Sequence, residues 1–253
     1  DHYGLVPTIR KLSGAEAFMG AHEIARLLDQ RTKWELGRLL LEAGFPRDLL
    51  NEMAERDRQL LKVHQVTQLE CKPIQDGDIF EFDDFMLMAI SLPGHTGGHL
   101  GFLEPATGSM FAGDTLLPHF SPNPLLEPIL EPEGEAPSSR RRSLKQYLES
   151  LDKLESLDLN VVYPGHGPVI TDPGRTIQYM REHHMRRLEV VWDRLDEQTL
   201  RGEAELQRIL GIDRVYARVD KGHRLRHDGV RVDWSHRIGR GQRQYLDRKR
   251  SLG

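Results

Sequence analysis

Three apolar runs of this chain end the same way, in a glycine followed at once by a side chain that can hold a cation. Phe85-Met86-Leu87-Met88-Ala89-Ile90 leads into Pro93-Gly94-His95, Ser109-Met110-Phe111-Ala112 into Gly113-Asp114, and Leu159-Asn160-Val161-Val162-Tyr163 into Pro164-Gly165-His166. A strand that stops at glycine can turn sharply, and a ligand placed just beyond the turn sits at the end of a sheet. Far-separated imidazole and carboxylate groups can converge there on one point. A fourth pair, Asp1-His2, opens the chain, and the order is then His95 after 93 residues, Asp114 after a further 19 and His166 after a further 52. One Pro-Gly-His is weak evidence; the ordered set is much stronger.

The elements between these ends read as mixed α and β. Residues 15–20 are expected as a short buried strand, followed by a helix near 22–30. Leu36, Leu39, Leu40 and then Leu49, Leu50, Met53, Leu60 and Leu61 recur at helical spacing, so 33–43 and 47–63 read as a helical pair broken at Gly44-Phe45-Pro46. Packing is its default role, and covering a pocket the sharper one. Residues 68–116 are strand-rich, with turns at Asp76-Gly77-Asp78, Asp83-Asp84 and Pro105-Ala106-Thr107-Gly108. Residues 117–139 hold six of the 14 prolines and read as a constrained loop walling whatever Asp114 belongs to. Leu144, Tyr147, Leu148, Leu151, Leu154 and Leu157 mark an amphipathic helix, and Ile177, Met180, His184, Leu188, Val191 and Leu195 a last long one. The fold class is therefore α/β or α+β.

Composition limits the chemistry. The lone Cys71 rules out an internal disulfide and a thiolate cluster, and reads as a half-buried strand residue. A reducing, cytoplasmic setting is the resulting expectation. No run approaches the roughly 20 apolar residues of a membrane span. Residues 212–253 carry 12 Lys/Arg against 5 Asp/Glu, or +7, which leaves -11 on residues 1–211. That tail has few aromatics and no nucleic-acid motif, so a solvated end is favoured over a nucleic-acid partner. The absence of a Gly-x-Ser-x-Gly segment argues against a serine nucleophile on an elbow.

Taken in order, these residues resemble the metallo-β-lactamase-fold superfamily, the group that includes glyoxalase II-like thioesterases (hydroxyacylglutathione hydrolases). That family carries His-x-His-x-Asp-His, then a single His, a bridging Asp and a final His. Asp1-His2 matches the end of the first motif, His95 the single His, Asp114 the bridging carboxylate and His166 the last ligand. The likeness covers residues 1 to about 200. It implies an αββα sandwich with a helical insertion near 33–63, lacking its first strands and the two upstream histidines. It leaves residues 201–253 as a C-terminal tail or helical appendage, in place of the winged helix that such hydrolases often carry.

The resemblance further implies a metal site built from Asp1, His2, His95, Asp114 and His166. A complete site takes two Zn2+; iron and manganese also suit imidazole and carboxylate ligands. Two cations sharing a water make hydroxide available near neutrality for attack on an ester, thioester or lactone carbonyl of a small acyl substrate. Asp1 and Asp114 are the candidates for carrying a proton to the leaving group. Tyr3 and His119 are candidate pocket residues. With the opening motif incomplete, weak loading or an inactive chain is expected. Iron-dependent sulfur oxidation and metal-dependent nucleic-acid cleavage are the rival chemistries of the fold, and the acidic body speaks against the second. A homo-oligomer is left open. Outside this set, His99 reads as a packing or supporting residue. His183 and His184 read as one solvated and one packed side of a helix, His22 as a surface or cap residue, and Arg140-Arg141-Arg142 as solvated.

Overall fold

The computed structural model describes residues 2–28, 37–38, 40–41, 44–63, 71–125, 127 and 141–194. Asp1, most of the first helix of the expected pair, the end of the proline-rich loop and the expected tail 201–253 lie outside the described residues. The fold is mixed α/β, as expected. In chain order come α1 (Val6–Ser13), β1 (Phe18–Gly20), α2 (Ala21–Leu28), α3 (Arg47–Val63), β2 (Lys72–Ile74), β3 (Ile79–Glu81), β4 (Met86–Ser91), β5 (Leu100–Glu104), β6 (Ser109–Gly113), α4 (Ser143–Glu155), β7 (Val161–Pro164) and α5 (Pro173–Arg194).

Strands β3 to β7 form one five-stranded sheet in sequence order, and β1 pairs with β2 separately. The first three neighbours in the large sheet are antiparallel because short loops, 82–85, 92–99 and 105–108, join them. At the β5–β6 turn the Glu104 carboxylate accepts the amides of Ala106 (3.2 Å) and Thr107 (2.7 Å), and Gly108 takes φ +67. Strand β7 instead lies parallel to β6, which requires a crossover, and α4 lies in it.

Alternation along the strands turns Leu103, Met110, Ala112 and Val162 toward the helices. There they join Tyr147, Leu148, Leu151 and Leu154 of α4 and Ile177 and Met180 of α5 in one core. Each large side chain buried this way contributes about 1.5–3 kcal/mol of transfer free energy. On the other face of the sheet Phe111 and Tyr163 stack at 5.1 Å, and Phe80 meets Phe102 and Phe18 edge-on.

Three expectations need correction. The strand at 15–20 is only three residues long and Phe18 is exposed, because β1 pairs with β2 alone. Leu49 and Met53, on the apolar stripe of α3, are 44% and 47% exposed, so periodicity there did not mean burial. Helix α1 was not anticipated. Its signals are short-range, Pro7 in the first turn and Gly14 in a left-handed C-cap at φ 72.

The core also holds a polar joint. His184 is 3% exposed, its Nε2 lies 2.7 Å from Ser121 Oγ, and its ring meets Tyr147 edge-on at 5.1 Å. The Tyr147 hydroxyl donates to the Thr115 carbonyl at 3.0 Å. Burial pushes His184 down to about 4, and the nearby charges of His183 and Arg187 push the same way. The imidazole is therefore neutral in the folded chain, whereas the unfolded chain takes up a proton near pH 6.5. Unfolding binds protons in that window, so stability falls as pH drops from about 6.5 to about 4. Denaturant titrations at pH 7 and 4.5 should differ by about 2–3 kcal/mol more in the parent than in His184→Gln, which cannot titrate. Equal pH slopes in the two proteins would refute this.

Candidate metal centre

Two ligand candidates come from the parallel strand pair. Register aligns Gly113 with Pro164, and the Gly165 amide donates to the Gly113 carbonyl at 2.7 Å. Asp114 and His166 lie one and two residues beyond the strand ends, so they leave the sheet side by side. The pairing is irregular between Phe111 and Gly113, and Gly113 has φ +52. Behind this turn, His99 Nε2 lies 3.0 Å from the Ala112 carbonyl oxygen, and burial lowers the His99 pKa. His99 thus supports the strand end that presents Asp114, in keeping with its expected role.

Asp114 is 7% exposed and faces three imidazoles. Its Oδ2 lies 3.0 Å from His2 Nε2 and 3.6 Å from His95 Nε2; its Oδ1 lies 3.6 Å from His166 Nε2. Ligand atoms of His2, Asp114 and His166 all fall within 4.8 Å of one another, and the His2 and His166 rings meet edge-on at 5.2 Å. Asp114 Oδ1 is buried and has no hydrogen-bond donor among the described residues. A carboxylate whose two oxygens address different imidazoles is arranged to bridge cations, and an orphaned buried oxygen needs positive charge. Nitrogen and oxygen donors without thiolate suit a divalent zinc, iron or manganese ion. The residues present fit a metal.

His95 reaches the centre from the β4–β5 turn. Its Nδ1 lies 2.9 Å from the Asn123 carbonyl oxygen. A carbonyl only accepts, so Nδ1 carries the hydrogen and Nε2, which faces Asp114, keeps its lone pair.

The structure therefore brings together His2, His95, Asp114 and His166, and Asp1 lies outside the described residues. Tyr3 is half-buried next to His2, and its carbonyl accepts the Val6 amide at the start of α1. His119 is exposed on the loop after Asp114. Sequence reasoning missed a group behind His95. His22 and Arg141, read as a surface or cap residue and as solvated, instead bond to each other beside the carboxylates Glu23 and Glu127. Only the paired Gly97-Gly98, which leave room for these carboxylates, could have signalled it.

Gly165 also lies in the centre. A Cβ there would fall 2.4 Å from Asp114 Oδ1 and 2.9 Å from His2 Cε1. Gly165→Ala should displace the carboxylate and lower Co2+ affinity by at least ~10-fold, comparable to losing a supporting partner. Its melting temperature should fall by no more than a few degrees, since the two closest contacts are with side-chain atoms and the nearest backbone atom, Gly113 C, lies at 3.2 Å. Unchanged affinity by chelator competition would refute the placement.

Among the described residues no helix is long and apolar enough to cross a membrane. The chain is 31% identical over 164 residues to a probable metallo-hydrolase, YqjP, of Bacillus subtilis, spanning 64% of this chain and 49% of that protein. It is 30% identical over 114 residues to an atrochrysone carboxyl ACP thioesterase of Aspergillus fumigatus, spanning 45% of this chain and 31% of that protein. A lactamase-like protein, nscB, of the same fungus is 34% identical over 117 residues, 46% of this chain and 30% of the relative. The chain thus spans half or less of the length of these relatives. The crystal structure of a metallo-beta-lactamase family protein from Thermus thermophilus superposes with a TM-score of 0.61 at 30% identity, over 78% of this chain and 61% of that one. Residues 1–166 match the metallo-beta-lactamase superfamily as a whole, ending at the last of the converging ligands, and the chain belongs to that superfamily.

Proposed function

We propose that this chain is a metal-dependent hydrolase acting on an ester, thioester or lactone carbonyl of a small acyl substrate. The observation that carries this reading is the buried Asp114 carboxylate with three imidazole Nε2 atoms turned toward it. Zinc is the favoured ion, held by His2, His95, Asp114 and His166, with iron or manganese as substitutes. A divalent cation in such a site supplies Lewis acidity and brings the ionisation of water toward neutrality. His95 and His166 approach Asp114 from opposite oxygens, so the carboxylate offsets positive charge on both sides of the centre. In an unligated moment Asp114 Oδ1, which has no hydrogen-bond donor among the described residues, would accept a proton or pass one to a leaving group.

The loop that follows Asp114 exposes Phe120 and Leu125 and is bonded to the His95 turn through the Leu125 amide, so it is the proposed apolar wall for an acyl group. The thioesterase named among the relatives supports the same substrate class. The test is a panel of thioesters, esters and lactones offered to the chain loaded with Zn2+, Fe2+ or Mn2+. Turnover should appear with metal, vanish on chelation and return on reloading. Metal-independent hydrolysis, or oxygen uptake without hydrolysis, would overturn the reading.

A further inference from the structure

We propose that Glu127, with Glu23 beside it, is a positioning residue for His95, holding the turn that aims the imidazole at Asp114; this rests on the metal-centre reading above. The Gly97 amide donates to Glu127 Oε2 at 2.8 Å, and the Gly98 amide to Glu23 Oε1 at 2.8 Å. Two consecutive amides, starting two residues after His95, are thus each held by a carboxylate from elsewhere in the chain. The glycines make this possible. A Cβ on Gly97 would lie 2.7 Å from Glu127 Oε2, and one on Gly98 2.9 Å from Glu23 Oε1.

Cationic partners surround both carboxylates. Side-chain exposure is 5% for Glu127 and 15% for Glu23. Arg26 links the two, its Nε 2.9 Å from Glu23 Oε2 and its Nη1 3.4 Å from Glu127 Oε1. Arg141 Nε lies 3.7 Å from Glu127 Oε2, and its amide donates to the Glu127 carbonyl at 2.8 Å. Burial alone would raise Glu23, but His22, Arg26, Thr96 and the Gly98 amide outweigh it and hold the carboxyl at about 2. Removing such charges from water is costly, and apolar packing would avoid that cost. Here that cost falls on one short turn.

Glu127 acts on His95 by a second route. The Leu125 amide donates to the His95 carbonyl at 3.1 Å, and Asn123 accepts from His95 Nδ1 at 2.9 Å. Both belong to the segment leading to Glu127, whose carboxylate and carbonyl tie that end down. Loss of Glu127 should release the turn and this segment together.

Two readouts test the proposal. In metal-free protein, long-range 1H–15N NMR should show His95 as a single Nδ1–H tautomer in the parent and a mixture in Glu127→Ala. By chelator competition, Glu127→Ala should bind Co2+ 10–100-fold more weakly, the range for lost outer-shell partners. Glu127→Gln keeps the shape, loses the charge and should lie between, with a ~3–10-fold loss. Arg58→Gln, which breaks the exposed Arg58–Glu55 pair, should leave both readouts unchanged. Parental tautomer and affinity in Glu127→Gln, or in a folded Glu127→Ala, would overturn the proposal and leave a plain stabilising contact. His95→Ala separates the two claims. If it binds Co2+ as tightly as the parent, His95 drops out of the metal centre, while the tautomer signal of the metal-free parent still judges the positioning role.

Discussion

Replacing Asp114 with alanine is expected to abolish tight binding of a divalent cation while leaving the chain folded. Among the described residues the carboxylate is the one group that faces all three imidazoles, with Oδ2 toward His2 and His95 and Oδ1 toward His166. Without it the remaining donors are imidazoles alone, around a gap. An outer-shell partner is worth ~10–100-fold in metal affinity, and a shared inner ligand should cost more than the top of that range. Hydrolysis by the loaded chain should then fall at least ~10³-fold, since water reverts toward its bulk pKa. Asp114→Asn keeps the volume, removes the charge and should fail in the same way. Elemental analysis of purified protein, followed by Co2+ titration, gives the answer. Near-parental metal content in both variants would remove Asp114 from the centre. Stability should change little, because the substitution relieves an unsatisfied oxygen.

The largest effect on folding is expected one residue before His95. Gly94 sits at φ +141, and a Cβ there would lie 2.4 Å from Tyr147 Cα, 2.5 Å from its Cβ and 2.6 Å from its nitrogen. These are backbone and root atoms of α4, not the end of a flexible side chain. The helix cannot back away, because Tyr147, Leu148 and Leu151 are fully buried in the core. Ser150 Oγ also donates to the Pro93 carbonyl at 2.7 Å and fastens the turn to α4. Gly94→Ala therefore combines overpacking with a strained backbone, and should cost about 3–5 kcal/mol by denaturant titration. Gly174→Ala is the contrast, since a Cβ there meets nothing closer than 3.9 Å, at Asp172 Oδ1. It should be neutral or stabilise by up to about 1 kcal/mol. Equal losses in the two variants would show that the contact between the Gly94 turn and α4 does not govern stability.

Legibility in the sequence followed the range of the interactions involved. Asp114 and His166 could be placed because apolar run, glycine and ligand are contiguous, and the strand fixes where the ligand emerges. The inner stripe of α4 was readable because helical period alone sorts Tyr147, Leu148, Leu151 and Leu154 onto one side. Glu23, Glu127 and Arg141 were not, since a buried charge is defined by distant partners and each looks solvated in its own segment. Arg141, between two other arginines, is the clearest case. Leu49 and Met53 failed in the opposite direction, as period reports a face without reporting what covers it.

The crossover between β6 and β7 has a consequence in time. The antiparallel neighbours from β3 to β6 close loops of a few residues, but Asp114 and His166 are 52 residues apart and meet only when α4 has docked and the last strand has entered. Loop-closure entropy makes that encounter slow relative to hairpin formation. A nascent chain that has made only its early hairpins thus offers His95 and Asp114 but not His166. The full donor set would then close around an ion only at the end of assembly, when the last strand brings His166 to the other oxygen of Asp114.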